Sequence, residues 1–359
     1  MNWAYQLKPR ANELLSGFLC RVAWAHGASP FGFYNLHLED KSFWARDIDR
    51  GVAGKHTRLL AQLAGVSPVA LEALTLTDWR RTLSPPRYRT DRPSAVTPWI
   101  NVVGVFHRTR VLHGLQFCPE CLAQTGTIDR RWRLSFVVIC EEHRRPLSDA
   151  CPQCDSPFIP HRAMSRAHRC HQCQRRLDQV QGGDFRAVGS TDAALRFQRR
   201  MLAMGCDAED ARKRIHPEGV AGIRELVSVV FGCHIAPTAL AYLGVDAGSS
   251  WASDRTEMSR LARRALVGRA CELLLSEWPA SFRDISQKVQ LTQRAFARMG
   301  GLPGWLEVEV KHLSPGFKRS RKARRASIAV RIAALEQSRP AHWRSLRAKL
   351  MLGSAKVRP

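Results

Sequence analysis

Apolar and polar positions alternate with different periods along the chain, and the periods predict mostly helices. After Glu13, the residues Leu14, Leu15, Phe18, Leu19, Val22 and Ala23 recur at helical spacing and form one core stripe. Asn12 is placed to cap this helix and Gly27 to end it. From His56 to Leu76, Ala61, Leu63 and Ala64 close one helix and Gly65 makes a turn. Ser67 then caps a second helix with Pro68 at its first position, and Leu71 and Leu74 continue the core. This is the layout of a helix-turn-helix. Its second helix, PVALEALTL, carries almost none of the Arg, Lys, Asn or Gln that read base edges, so a plain helical hairpin fits nearly as well. Arg80, Arg81, Arg87, Arg89 and Arg92 beside it are suited to phosphates.

Two turn-rich stretches, Ser84 to Pro98 and Gly182 to Ser190, read as boundaries. Between them RRWRLSFVVIC (Arg130 to Cys140) reads as a strand with Trp132, Leu134 and Phe136 on one face. Helical patterning resumes at Thr191 or Asp192 through Met204, and again from Glu218 to Met299. Trp278 to Met299 offers a second helix-turn-helix. Phe282, Ile285 and Val289 belong to its first helix. Thr292 would cap the second, LTQRAFARM, which presents Gln293, Arg294 and Arg298, residue types that reach bases or phosphates.

Charge changes this picture of an ordinary helical protein. The 359 residues contain 56 Lys and Arg against 31 Asp and Glu, a net charge of +25. With 45% hydrophobic residues the chain is globular, and its length suits two or three domains. No apolar run approaches the ~20 residues that span a bilayer. The start, MNWAYQLKPRANELL, lacks the apolar core and cleavage site of a secretory signal, so a cytoplasmic, nucleoid-associated protein is expected. Such a charge calls for a polyanion. About half of it falls between Lys311 and Pro359, where 14 Lys and Arg face one acid, Glu336. Lys318, Arg319, Arg321, Lys322, Arg324 and Arg325 form the densest run. Ile328, Ile332 and Leu335 follow at helical spacing, which suggests a basic helix packed on one side. The residues among the charges are Ala and Ser rather than bulky apolar groups, so nucleic acid suits it better than a membrane surface.

The cysteines add chemistry. Eleven in a chain expected to be intracellular argue against a disulfide framework. Eight ligand-type residues form four half-sites: Cys118 and Cys121, Cys140 and His143, Cys151 and Cys154, Cys170 and Cys173. Two intervening residues in each let both ligands of a tight turn reach one tetrahedral ion, and thiolates with one imidazole suit zinc. Sequential pairing leaves 18 and 15 residues between half-sites, a zinc-ribbon range, with interleaved pairing as the alternative. Two zinc ions per chain are expected, in closed four-ligand sites that fold the segment and leave no open position for chemistry. Cys20, Cys206, Cys233 and Cys271 read as small buried thiols. His161, His168 and His171 lie near the last half-site but outside the ligand spacing.

The expected fold is therefore mainly α with small β zinc ribbons: helix-turn-helix-type helical domains flanking a tandem zinc-binding core. Residues 1–110 form an N-terminal helical domain with the helix-turn-helix-like segment, and residues 111–181 the tandem zinc-ribbon core. Residues 182–310 form a helical domain with the second candidate, and residues 311–359 the basic C-terminal helix or tail.

The run CPEC, RRWRLSF, CEEHRRPLSDACPQC and CHQC resembles the zinc-binding core of TniQ proteins. The N-terminal PRANELLSGFLCRVAWAHGASPFGF is similar to that family's opening, where an acidic residue precedes a Leu/Ser-rich helix. The resemblance covers roughly the first half of the chain. It implies a target-selection factor of the TniQ/TnsD-like kind for a transposon. Such a protein binds a double-stranded DNA site, or a CRISPR effector complex that has found one. It recruits an AAA+ ATPase of the TniB/TnsC kind, which directs the transposase. The family also implies helix-turn-helix elements, homodimers in some members, the eight residues above as zinc ligands, and no catalytic residues. The basic C-terminus favours direct DNA binding. Two other classes compete. An RNA-binding or CRISPR ribonucleoprotein adaptor would use the same basic ribbons. A nuclease with structural zinc would need convergent carboxylates, whereas Asp and Glu are sparse and scattered here.

Overall fold

In a computed structural model the chain divides into two units, Met1–Leu313 and Ser314–Pro359. The structure describes residues 3–83, 97–106, 109–163, 168–179, 191–205, 217–232, 235–246, 260–297 and 301–316. Among these residues the first unit is mainly helical, with two two-stranded antiparallel hairpins.

The N-terminal helices are α1 (Leu15–Ala25), α2 (Pro30–Leu38), α3 (Gly54–Ala64), α4 (Pro68–Glu72) and α5 (Thr77–Leu83). The α1 stripe is fully buried, as its spacing predicts, but Asn12 does not cap it. Asn12 is left-handed, with φ 54°, and its carbonyl accepts from the Arg130 amide. The free N–H groups of α1 are met from a distance instead. Asp49 Oδ1 accepts from the Ser16 amide at 2.8 Å, and the Leu74 carbonyl accepts from the Leu15 amide at 2.9 Å. Local spacing cannot foresee a cap delivered by tertiary contact.

The α3–α4 turn follows the sequence closely. Gly65 takes the left-handed cap, Ser67 Oγ accepts from the Ala70 amide at 3.1 Å, and Pro68 opens α4. Leu71 is buried while Val69 is 78% exposed. A core of Phe18, Leu19, Tyr34, Trp44, Leu60 and their neighbours lies among these helices.

A second, larger core starts at Leu14, Leu76 and Trp79 and continues without a break to Leu306 and Val310. It takes in α6 (Pro119–Thr125) and the hairpin β3 (Ile139–Cys140) with β4 (Arg145–Pro146). The hairpin β1 (Val105–Phe106) with β2 (Thr109–Arg110) precedes α6. The strand expected over Arg130 to Cys140 is not continuous. Arg130–Arg133 is a 3-10 turn, and only Ile139 and Cys140 pair as strand. The apolar alternation fails there because residues 132–140 are buried on every side, Arg133 and Ser135 included.

The C-terminal helices are α7 (Thr191–Gly205), α8 (Pro217–Val230), α9 (Ala236–Tyr242), α10 (Leu261–Ser276), α11 (Ala280–Lys288) and α12 (Gly304–Lys311). α7 and α10 make the most extensive helix pair, with Gly268 seated against Phe197 and Ala194. A Cβ at Gly222 of α8 would run into Pro303 and Trp305, so only glycine permits that approach.

Candidate metal centres

Each of the four half-sites sits on a tight turn. Cys118 ends an extended stretch, Pro119 starts α6, and Cys121 follows in its first turn. Cys140 ends β3 and His143 lies in the turn to β4, where Arg144 has φ 50°. The other two turns are pinned by short antiparallel bridges, Ala150 to Pro157 and Arg169 to Arg176, with left-handed Asp155 and Gln174 after each pair of cysteines.

These turns bring the ligands together in sequential, not interleaved, sets. Cys118, Cys121, Cys140 and His143 form an inner cluster, and Cys151, Cys154, Cys170 and Cys173 an outer one. Within each, all ligand atoms lie within 4.8 Å of one another. In the inner cluster Cys121 Sγ is 3.7 Å from Cys140 Sγ. His143 Nδ1 stands 3.5 Å from Cys118, 3.3 Å from Cys121 and 3.5 Å from Cys140. In the outer cluster Cys151 is 3.5 Å from Cys173, and Cys154 is 3.7 Å from Cys170. Ligands at about 2.3 Å for sulfur and about 2.0 Å for nitrogen from one tetrahedral ion stand roughly 3.5–3.8 Å apart. The donor set and its spacing therefore fit a zinc-sized ion at each cluster.

The thiols are strongly perturbed by one another. Hydrogen bonds from Cys118 and Cys121 hold Cys140 far below the usual thiol range. Hydrogen bonding to Cys118 and Cys140 pushes Cys121 far above it. In the outer cluster desolvation raises Cys151 to about 12. At Cys154 desolvation also acts upward, but hydrogen bonds from Ser156, Cys173 and Cys170 bring it down to about 6. Clusters whose protons are shared this way release them when a cation takes their place.

The surroundings hold the inner frame firmly. Gln116 Nε2 donates to the carbonyls of Trp132 at 2.6 Å and Val137 at 2.9 Å. Gln198 Oε1 accepts from the amides of Val138 and Ile139, and its Nε2 donates to the Ile139 carbonyl. Arg145 pairs with Glu120, and Arg131 with Asp129 and Glu141. Arg133, wholly buried, donates to Asp47 (2.6 and 3.0 Å), to Asp49 (3.0 Å) and to the Asn101 carbonyl (2.9 Å). Asp47 and Asp49 thus share one guanidinium. Sequence reading missed these residues. Gln116 and Gln198 did leave a signal, since each is a polar residue on an otherwise apolar stretch or stripe.

The remaining candidates are placed as follows. His161 stacks on Trp44, with ring centroids 4.6 Å apart, and serves the N-terminal core. His171, half-buried, has its pKa lowered by desolvation and by Arg162, and stands outside both ligand sets. Cys20 and Cys271 are buried thiols. The second helix-turn-helix candidate is a true helix only in its first part, α11. After Thr292, which makes no side-chain cap, Gln293–Ala295 is a single 3-10 turn. The Gln293 amide donates to the carbonyls of Lys311 and Leu313 at 3.1 and 2.8 Å, closing the end of α12. Its side chain is thereby committed within the protein, and Arg294 beside it is half-buried. Arg298, Lys318, Arg319, Arg321, Lys322, Arg324 and Arg325 lie outside the described residues, as do Arg87, Arg89, Arg92, Cys206 and Cys233.

The two clusters, each able to hold a metal ion, are set on tight turns beside a mainly helical body. Residues 4–147 match the TniQ family model. The match takes in the N-terminal helices and the whole inner cluster and stops before the outer one. No curated protein matches the chain. No helix among the described residues is long and apolar enough to cross a membrane.

Proposed function

We propose that the chain is a target-site selection adaptor in transposition. It binds double-stranded DNA and recruits an AAA+ ATPase of the TniB/TnsC kind, and through it a transposase. The observation that carries this reading is the TniQ match over residues 4–147, joined to two clusters that each fit a four-coordinate ion. Zinc is the ion, two per chain. Cys118, Cys121, Cys140 and His143 hold one, and Cys151, Cys154, Cys170 and Cys173 the other. Four protein ligands leave no place for water or substrate, so the metal fixes the fold of residues 118–173 and the protein is an adaptor rather than an enzyme.

General affinity for DNA comes from the excess of positive charge, with residues 311–359 as its densest part. Arg294 and Arg298 would add phosphate contacts. The test is electrophoretic or fluorescence binding to duplex DNA across a salt series. Affinity should fall steeply with salt, and deleting residues 314–359 should weaken binding to all sequences alike and flatten the slope. Unchanged affinity after the deletion overturns the tail assignment. Tighter binding to structured RNA than to duplex DNA at fixed salt favours a ribonucleoprotein adaptor instead. Co-purification with the cognate ATPase tests recruitment.

A further inference from the structure

Two polar residues of the C-terminal helices reach the frames of the two metal clusters, one each. Gln198 projects from α7 onto β3. Its Oε1 accepts from Val138 at 3.0 Å and Ile139 at 3.1 Å, and its Nε2 donates to the Ile139 carbonyl at 2.9 Å. Cys140 is the next residue along. Gln198 is 1% exposed, and these three bonds satisfy both ends of its amide. Arg260 stands at the start of α10. Its guanidinium donates to Asp149 at 3.3 and 3.4 Å and to Asp155 at 3.2 and 3.0 Å. The Leu261 amide adds a 2.7 Å bond to Asp149. Asp149 and Asp155 bracket the Cys151–Cys154 turn.

We propose that Gln198 and Arg260 are positioning residues for the two metal sites. Gln198 fixes the strand that presents Cys140, and Arg260 fixes the turn that presents Cys151 and Cys154. Metal retention at each cluster is then governed by a different side chain of the packed α7/α10 pair. This rests on the zinc reading above. The physical reason is the same at both sites. A ligand turn that is hydrogen-bonded in its metal-holding shape loses little freedom when the ion binds. Removing a partner outside the ligand shell lowers metal affinity by about 10- to 100-fold. At β3 it also strands buried amide groups. Neither residue lies in the segment that matches the family model, so the inner cluster draws its support from beyond that segment.

The test uses the full chain loaded with zinc. Metal content is measured first. The protein is then challenged with a chromophoric chelator, sampled at intervals, alkylated at free thiols, digested and read by mass spectrometry. This gives separate release curves for Cys118, Cys121 and Cys140 and for the four outer cysteines. In Gln198→Leu the inner curve should speed about tenfold with the outer unchanged, and in Arg260→Ala the reverse, also about tenfold. Gln198→Glu keeps the acceptor oxygen and should fall between wild type and Gln198→Leu, and Arg260→Lys should fall likewise on the outer curve. These milder variants carry the test if the harsher ones do not fold. Acceleration of both curves together in one variant, or of neither, overturns the proposal. Wild-type protein without two zinc ions overturns the zinc reading itself. Two ions without the crossed pattern overturn only the positioning roles.

Discussion

The inner and outer clusters use the same ligand spacing and share one core, to which Cys151 and Cys170 of the outer cluster also belong, but they differ in how much of each is covered. Inner Cys118 and Cys140 are buried members of the large apolar core, beside Leu122 and Ile139. In the outer cluster Cys154 and Cys173 are exposed, and the turns around them carry Pro152, Gln153, Gln172, Gln174 and Arg175 on the surface. Two residues between ligands set a turn that can grip an ion. Whether that ion is part of the core or a surface brace is decided by the residues outside the turn. Apolar FCPECL and VVIC lead the inner ligands inward, and polar CPQCDS and RCHQCQRR keep half of the outer ligands at the surface.

The largest expected effect follows from that contrast. Structural zinc contributes apparent binding energies of about 10–16 kcal/mol, comparable to or larger than the ~5–15 kcal/mol that stabilises a domain. Cys140→Ser, in the core, should therefore abolish cooperative folding of residues 3–313. Cys154→Ser should lose one ion and keep most of the helical signal. Circular dichroism melts with metal analysis on both variants check this. Similar melts for the two would show that burial does not separate the clusters.

Next in size is the joint between the inner frame and the N-terminal helices. Arg133 lies between the inner half-sites and holds both Asp47 and Asp49, while Asp49 in turn caps α1. Arg133→Met removes the buried charge that Asp47 and Asp49 share, at a cost of about 3–5 kcal/mol. Denaturation midpoints should fall accordingly. Arg175→Met, on the exposed outer turn, should change stability by no more than about 0.5 kcal/mol.

Acid probes the N-terminal helices through a group that belongs to neither cluster. His56 is buried against Asp40, 3.4 Å away, and desolvation lowers its pKa. A histidine kept neutral by folding contributes fully above its ordinary value near 6.5 and loses that contribution as pH falls below it. The protection factors of α3, with exchange rates corrected for their intrinsic pH dependence, should therefore fall between pH 7 and pH 5.5. His56→Gln, which cannot charge, should flatten that dependence. An unchanged slope in the variant would remove His56 as its source.

The sequence made the two Cys/His clusters and the α3–α4 turn legible because both depend on fixed local spacing: two residues within each half-site, and Gly65, Ser67 and Pro68 in order. The α1 stripe was legible for the same reason. What local spacing does not carry is contact between distant parts. Asp49 reaches α1 from 33 positions away, Gln198 reaches β3 from 59 or 60, and Arg260 reaches Asp149 from 111. The strand expected from Arg130 failed because alternation predicts a sheet face only where one side is wet. Gln293 looked like a base reader by residue type. Its amide instead closes α12, a role that spacing within one hairpin cannot show.

The smallest effect tests the outer frame from within. Arg260 divides its guanidinium between Asp149, 8% exposed, and Asp155, 72% exposed. Asp149 also receives the first amide of α10, so Asp149→Asn should speed zinc release from the outer cluster clearly. Asp155→Asn disturbs only a solvent-screened pair, at about 0–1 kcal/mol. The hydrogen bond from Arg260 holds the Asp155 carboxyl below its ordinary value. A carboxylate with a depressed pKa contributes above its unfolded value, near 3.8, and loses that contribution only as pH falls through the folded one. The difference between wild type and Asp155→Asn should therefore stay constant from pH 8 to pH 5, while zinc release itself quickens in both as the ligands take up protons. A difference that shrinks toward pH 5 would mean that the clamp on the outer turn titrates with the ligands, and that Arg260 does not hold that turn independently of the metal.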